Sequence, residues 1–175
     1  MKFDVRISTA ILIALLSSHS FQTRAQETEL PRIGDWTINC QPEAPGVRQC
    51  WMSQAATIEA TGEQLLEIGI GFQRPFNGAE LLLILPLGIS LHHDPQMFVD
   101  GVHVRNYKVD FCLDDGCYSR SKLNAVQLEH FLHMDSAELK LKSGAGKELV
   151  LPVSGTGSRA AFNSTAITGP DVLPK

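Results

Sequence analysis

The residues best suited to chemistry gather in "LHHDP", where His92, His93 and Asp94 stand together, with Met97 and His103 close behind. Imidazoles beside a thioether suit copper or zinc. Adjacent side chains on a strand point to opposite faces, so His92 and His93 could share one ion only from a loop. The simpler reading is solvent-facing loop histidines. No metal is assigned, and His92, His93 and His103 are the candidates if one binds. His130 and His133 stand one helical turn apart, another spacing that can hold a metal. Only Glu129 supplies an acid there, which reads as a solvated helix face.

"DFCLDDG" brings Asp110, Asp114 and Asp115 into a short span. Carboxylates that cleave glycosides need a cleft and one raised pKa. These sit in and beside a chain reversal, where Asp serves local hydrogen bonding. "SGTGS" and "SGAG" lack the lysine and following helix of a phosphate loop, and no Gly-x-Ser-x-Gly elbow occurs. Catalytic residues and cofactors are therefore assigned to none of these stretches.

The cysteines are the remaining chemistry: Cys40, Cys50, Cys112 and Cys117. A zinc site would want two-residue spacings on both arms, and a redox Cys-x-x-Cys is absent. In an exported chain an even count reads as bridges. Four cysteines allow three connectivities, and local geometry favours one. "YKVDFC" and "CYSRSK" flank "LDDG", which suits a tight reversal. Pairing Cys112 with Cys117 sets Phe111 opposite Tyr118 and Asp110 opposite Ser119. Cys40–Cys50 then closes "QPEAPGVRQ". On this reading Trp36, Ile38 and Cys40 share the core face, while Cys112 and Cys117 face outward with Lys108, Asp110 and Ser119.

Export itself is read from the N-terminus. "MKFDVR" is a charged region, "ISTAILIALL" an apolar one too short to span a bilayer, and "TRAQ" places Ala25 before a cleavage point. Residues 1–25 are expected to be a secretory signal, 26–32 a linker, 33–162 the folded domain and 163–175 a loose tail. Loss of Lys2, Arg6, Arg24 and Asp4 from totals of 15 basic and 19 acidic leaves 12 and 18, a net charge of −6. No basic run suggests nucleic acid. The remaining 150 residues fit one domain with a proper core.

Period-two patterns supply the scaffold. "LLEIGIGF" sets Leu66, Ile68, Ile70 and Phe72 against Glu67, Gly69 and Gly71. "AELKLK" sets Ala137, Leu139 and Leu141 against Glu138, Lys140 and Lys142. "LLLILPLGISL" is apolar on both faces and reads as a fully buried central strand bending at Pro86 or Gly88. Turn signals fall at "RPFNG", Asp100-Gly101 and "SGAG". One helix is predicted over Ala125–Met134. Asn124 and Gln127 form a capping box, Leu123 and Leu128 a staple, and Ala125, Leu128, Phe131 and Leu132 the buried side. The fold class is mainly β: an antiparallel β-sandwich or barrel-like single domain with one short helix.

"IGDWTINC" followed by a second cysteine resembles the opening of the invasion-associated locus B family. The likeness continues through "LPLGISL", "VDG", "FCLDDGC" and "LNAVQLEHFL", from about Ile33 to Phe162. It implies an exported Gram-negative protein, periplasmic, outer-membrane-associated or secreted, in a family named for host-cell invasion. No catalytic residues carry over. Gly34, Asp35, Trp36, Pro86, Gly88 and the cysteines are the shared positions, with structural roles. The chain departs from the pattern at Asp94 and Gln96, where glycines are usual, and at Gly157-Ser158, where Gly-Phe is usual.

The leading expectation is a non-catalytic envelope protein acting by contact with an envelope or host-surface macromolecule, with no membrane span in the mature chain. A periplasmic metal-binding protein using His92, His93 and His103 is the second reading, and a periplasmic hydrolase the third. The mature protein is expected to begin at Gln26 and to hold no free thiol. N-terminal sequencing and thiol labelling of denatured, unreduced protein check both; labelling of two or more cysteines would defeat the disulfide scheme.

Overall fold

The alternating stretches fold into two antiparallel sheets in the computed structural model, which describes residues 31–44, 47–57, 64–72 and 78–166. The expected signal 1–25, most of the linker 26–32 and the last part of the tail lie outside the described residues, as does most of "RPFNG". The strands are β1 (Arg32–Ile33), β2 (Trp36–Ala44), β3 (Val47–Thr57), β4 (Gln64–Phe72), β5 (Ala79–Leu85), β6 (Gln96–Val99), β7 (Val102–Asn106), β8 (Phe111–Leu113), β9 (Gly116–Lys122), β10 (Ser136–Lys142) and β11 (Glu148–Ser154). Helix α1 spans Ala125–His133 and α2 spans Ser158–Ala166. One sheet has the order β1-β2-β3-β4-β5-β9-β8 and the other β11-β10-β6-β7. No described helix is long and apolar enough to cross a membrane.

Alternation puts one face of each sheet into a shared core. The large sheet contributes the cross-strand row Ile38, Met52, Ile70 and Leu81, all buried. The small sheet answers with Met97, Leu139 and Leu151, and with Val99, Ala137 and Val153. Asp100 and Gly101 both have positive φ, 48° and 78°, as a two-residue hairpin turn of the favoured hand requires. The Asp100 carboxylate then accepts from the backbone N–H groups of Asp135 and Ser136, each at 3.0 Å.

Helix α1 has the predicted start. Asn124 Oδ1 accepts from Gln127 N at 2.8 Å, and Gln127 Oε1 accepts from Asn124 N at 3.1 Å. Phe131 and Leu132 are buried and Leu128 partly so, whereas Ala125 is exposed. Helix α2 is an addition to the single helix expected, and it occupies the first residues of the presumed loose tail. Its Phe162 stacks at a tilt on Phe72 of β4, ring centroids 4.9 Å apart. Ser158 Oγ donates to the Leu132 carbonyl at 3.3 Å, joining the two helices.

Sequence-distant corners meet where the turn before β2 touches the turn before α2. Asp35 N donates to the Thr156 carbonyl at 3.1 Å, and Ser154 Oγ donates to Asp35 Oδ2 at 2.6 Å. Gln54 of β3 completes the corner, accepting from Ser154 N at 2.7 Å and donating to the Asp35 carbonyl at 3.3 Å. Gly34 (φ 61°) and Gly157 (φ 82°) permit the approach. A side chain on Gly34 would run into the Thr156 carbonyl, and a Cβ on Gly157 would lie 2.6 Å from that of Ile33.

Two local expectations need correction. β5 ends at Leu85 instead of continuing to Leu91, and its second face is half-buried, not fully buried. Pro86 has no N–H for the ladder and Gly88 turns with φ 80°, so the chain leaves the sheet and exposes Leu87 and Leu91. The hairpin facing is also reversed at β9. Cys117 and Ser119 lie opposite Leu85 and Leu83 of β5, and so point into the core. Cys112, bonded to Cys117, is on the same face of the edge strand β8 but remains exposed. Cys40–Cys50 has one buried and one half-buried partner on the core face.

Breaking Cys112–Cys117 therefore has two components. Loss of the short loop closure contributes about 2 kcal/mol. A serine at 117 adds a second hydroxyl beside Ser119, whose buried Oγ has no protein partner among the described residues. That adds about 1–3 kcal/mol. The Cys112→Ser/Cys117→Ser variant should thus have a lower denaturant midpoint than Cys112→Ala/Cys117→Ala. Equal midpoints would contradict the burial of position 117.

Candidate functional site

The residues singled out for chemistry do not assemble. His92 and His93 are exposed in the loop after β5, with His93 Nδ1 3.1 Å from Ser90 Oγ. His103 sits on β7, its ring edge toward Phe98 and its Nε2 2.7 Å from Asn106 Oδ1. His92, His93 and Asp94 line a hollow of about 370 Å³ together with Lys140 and Lys142. Lys140 and Lys142 offset Asp94 and Glu148 in that lining, which leaves no net negative charge to draw a cation. Among the described residues no group of three or more His, Cys, Asp or Glu side chains is placed to hold a metal.

His130 and His133 lie on the exposed side of α1. His133 is 3.0 Å from the Glu129 carboxylate, which also pairs with Arg159 of α2 at 3.5 Å. The aspartates of the hairpin are occupied locally. Asp115 accepts from the Tyr118 hydroxyl at 2.7 Å, and Asp110 from the Arg120 backbone N–H at 2.8 Å. The bond to Asp115 holds the Tyr118 hydroxyl above its ordinary pKa. Burial pushes Tyr107, between β7 and β8, up to about 12, while nearby Arg105 acts in the opposite direction. The Tyr118 hydroxyl is exposed to solvent at the hairpin and Tyr107 is closed into the core, so neither lines a cleft.

A different place draws apolar and polar groups together: the outer face of the large sheet. Alternation sends Cys50 and Met52 of β3 inward and Trp51 outward. Trp51 pairs with Gly71 on β4, and its Cδ1 would be 3.6 Å from a Cβ on Gly69. The indole lies over a strip of β4 that has no side chains. A Cβ on Gly71 would come within 2.6 Å of the Trp51 Cβ, so glycine is required at that position, whereas Gly69 has room for a methyl. Leu82 of β5 closes the far side, 3.8 Å from the same Gly69 position. The resulting groove holds about 190 Å³ and is rimmed by Gln41, Gln49, Glu80 and Arg120.

The apolar character continues along the sheet. Ile84, Tyr118 and Phe111 form the next cross-strand row, with Phe111 stacked on Tyr118 at 5.1 Å. The outer face of the small sheet is unlike this. There charged and apolar side chains alternate: Phe98 lies opposite Glu138, and the exposed Val150 opposite Lys140. Lys140 pairs with Glu138 at 3.5 Å and sits 4.6 Å from the Phe98 ring centre, with the His103 ring 5.3 Å from it. The sequence pattern gives Glu67, Gly69 and Gly71 only as the second face of β4 and assigns no role to Trp51. The available signal was an outward Trp on one strand and paired glycines on its neighbour, a known way of covering sheet glycines.

Gly71→Ala should force the backbone at Cys50 and the Trp51 side chain apart. The expected loss is about 1–3 kcal/mol of stability, with a change in tryptophan emission. Trp36 is fully buried on the opposite face, so the emission change reports Trp51. A wild-type midpoint and spectrum would contradict the packing.

With the fold and the groove defined, comparison with known proteins places the chain. No curated protein matches it. A solved structure described as the crystal structure of invasion associated protein b from Bartonella henselae is similar, with a TM-score of 0.68 at 18% identity, covering 78% of this chain and 93% of that one. The family model for the invasion associated locus B (IalB) protein matches residues 36–166, from Trp36 at the sheet corner to the end of α2. The chain belongs to the invasion-associated locus B family.

Proposed function

We propose that this is an exported, non-catalytic envelope protein, periplasmic or at the cell surface, whose work is contact with another macromolecule. The observation that carries the reading is the outer face of the large sheet. It presents Trp51, Leu82, Ile84, Tyr118 and Phe111 on neighbouring strands, among the described residues without a covering element. The outer face of a two-layer sandwich is ordinarily polar, and contiguous apolar surface marks an interaction site. On the small sheet's outer face Phe98 and Val150 are interrupted by Glu138 and Lys140, so the longer apolar run belongs to the large sheet.

Membership of the family supports contact over catalysis, as does a relative whose title calls it invasion associated. The local bonds of His93, His103, Asp115 and Asp110 to neighbouring residues support the same reading. Net negative charge after loss of the signal favours solubility and disfavours nucleic acid.

A photo-cross-linking amino acid at Leu82, with the same group at Glu138 on the small sheet as the control, tests the surface in intact cells. Adducts are expected at Leu82 and not at Glu138. Adducts at Glu138 alone, or at neither position, would overturn the assignment of the face.

A further inference from the structure

We propose that the Trp51 groove is a glycan-binding site, and that its ligand is an N-acetylated, β-linked hexosamine chain of the bacterial cell wall. This rests on the reading of the same face as a contact surface and narrows the partner to one chemistry. Three features of the groove carry it.

The first is shape. Gly69 and Gly71 let the Trp51 indole lie down over β4 with Leu82 beside it, so the groove has a low apolar floor. Lining residues come from β2, β3, β4, β5 and β9, adjacent strands in the sheet order. Four interstrand spacings make a trough about 19 Å long. It suits a short run of linked rings laid across the strands better than a single compact ligand. The second is the aromatic platform. The C–H face of a pyranose is apolar and flat, and an indole held against the sheet offers a matching surface without loss of side-chain freedom on binding.

The third is the rim. A sugar hydroxyl both donates and accepts, so its site needs both functions side by side. Gln41 and Gln49 each carry a carbonyl and an amide NH₂, Glu80 accepts and Arg120 donates. Gln49 Nε2 makes only a long contact of 3.5 Å to the Phe72 carbonyl. The Glu80 carboxylate and the Arg120 guanidinium have no protein hydrogen-bond partner among the described residues. One acid and one base also leave the trough without net charge, which fits a neutral ring and opposes sulfated or polyphosphate chains. The acetamido group suits the apolar patch that Trp51 and Leu82 form, with its methyl on apolar atoms and its amide toward the glutamines. The expected export of the chain places such a groove in the compartment that holds wall glycan.

The test uses the mature protein and three probes: chitotetraose, a heparin tetrasaccharide and purified cell-wall sacculi. Calorimetry and tryptophan emission follow the soluble probes, and co-sedimentation follows sacculi. Binding of chitotetraose and of sacculi is expected, with a shift in emission from Trp51 and none from buried Trp36. Trp51→Ala should weaken chitotetraose about tenfold or more, the scale of a lost aromatic stack. Glu80→Gln and Arg120→Gln leave the core untouched and should each weaken binding severalfold. They serve if Trp51→Ala fails to fold by circular dichroism.

Undiminished binding by all three variants would overturn the proposal. So would binding of the heparin probe alone, binding of sacculi without chitotetraose, or no binding by any probe. Polypeptide adducts at Leu82 without glycan binding would sink the glycan and leave the contact surface standing. Loss of both would remove the two readings together.

Discussion

The corner that joins Gly34 and Asp35 to the Ser154–Gly157 turn is the constraint on which the two-layer arrangement depends. Burial of Met52, Ile70, Leu139 and their neighbours drives the sheets together, but the hydrophobic effect has no direction. It tolerates sliding and rotation of one layer over the other. Directional bonds at the corner remove that freedom. Ser154 ends β11 of the small sheet, and it bonds to Asp35 at the start of β2 and to Gln54 of β3 in the large one. Residues about a hundred or more positions apart are thereby held at hydrogen-bond distance. The approach is possible only because neither Gly34 nor Gly157 has a Cβ. "GDW" therefore works as a unit: glycine for the approach, aspartate as acceptor, and Trp36 as the fully buried side chain beneath.

Helix α2 extends the same logic. It starts directly after Gly157, so the corner also fixes where its axis begins, and Phe162 then covers Phe72 at the end of β4. Serine at 158, where the family pattern suggests a bulkier neighbour, donates to the end of α1. A small hydroxyl at this buried position ties the helices together by a bond in place of added apolar volume.

What could be read from the sequence was local or periodic. The Asn124–Gln127 box, the Asp100-Gly101 turn and the alternation in β4 and β10 each depend on residues within one or two turns of chain. The register of the 112–117 hairpin was legible for the same reason, since its loop sets which residues face each other. Its inward face was not, because that depends on β5, more than 30 positions earlier, lying beside β9. Likewise α2 has few apolar residues and a weak pattern; its helicity comes from packing, which propensity does not report. The groove was missed because each half looks ordinary alone. Glycines in "EIGIGF" resemble a solvated strand face, and Trp51 resembles a core residue until its parity with Cys50 and Met52 is followed.

That parity also decides what the outer face is for. Glycine weakens a strand interior, by roughly 0.5–1 kcal/mol relative to alanine, and the half-buried Leu82, Ile84 and Trp51 on an outer face add a liability to aggregate. None of these choices serves the core, which is closed on the other side by Ile68, Ile70, Leu81 and Leu83. None completes the corner or the helices either. Polar residues in place of Trp51, Leu82 and Ile84 would give a more soluble face, as β10 has with Glu138, Lys140 and Lys142. A surface that keeps an indole and its apolar neighbours half-open to water, against the interest of solubility, is what a partner lying on it would explain.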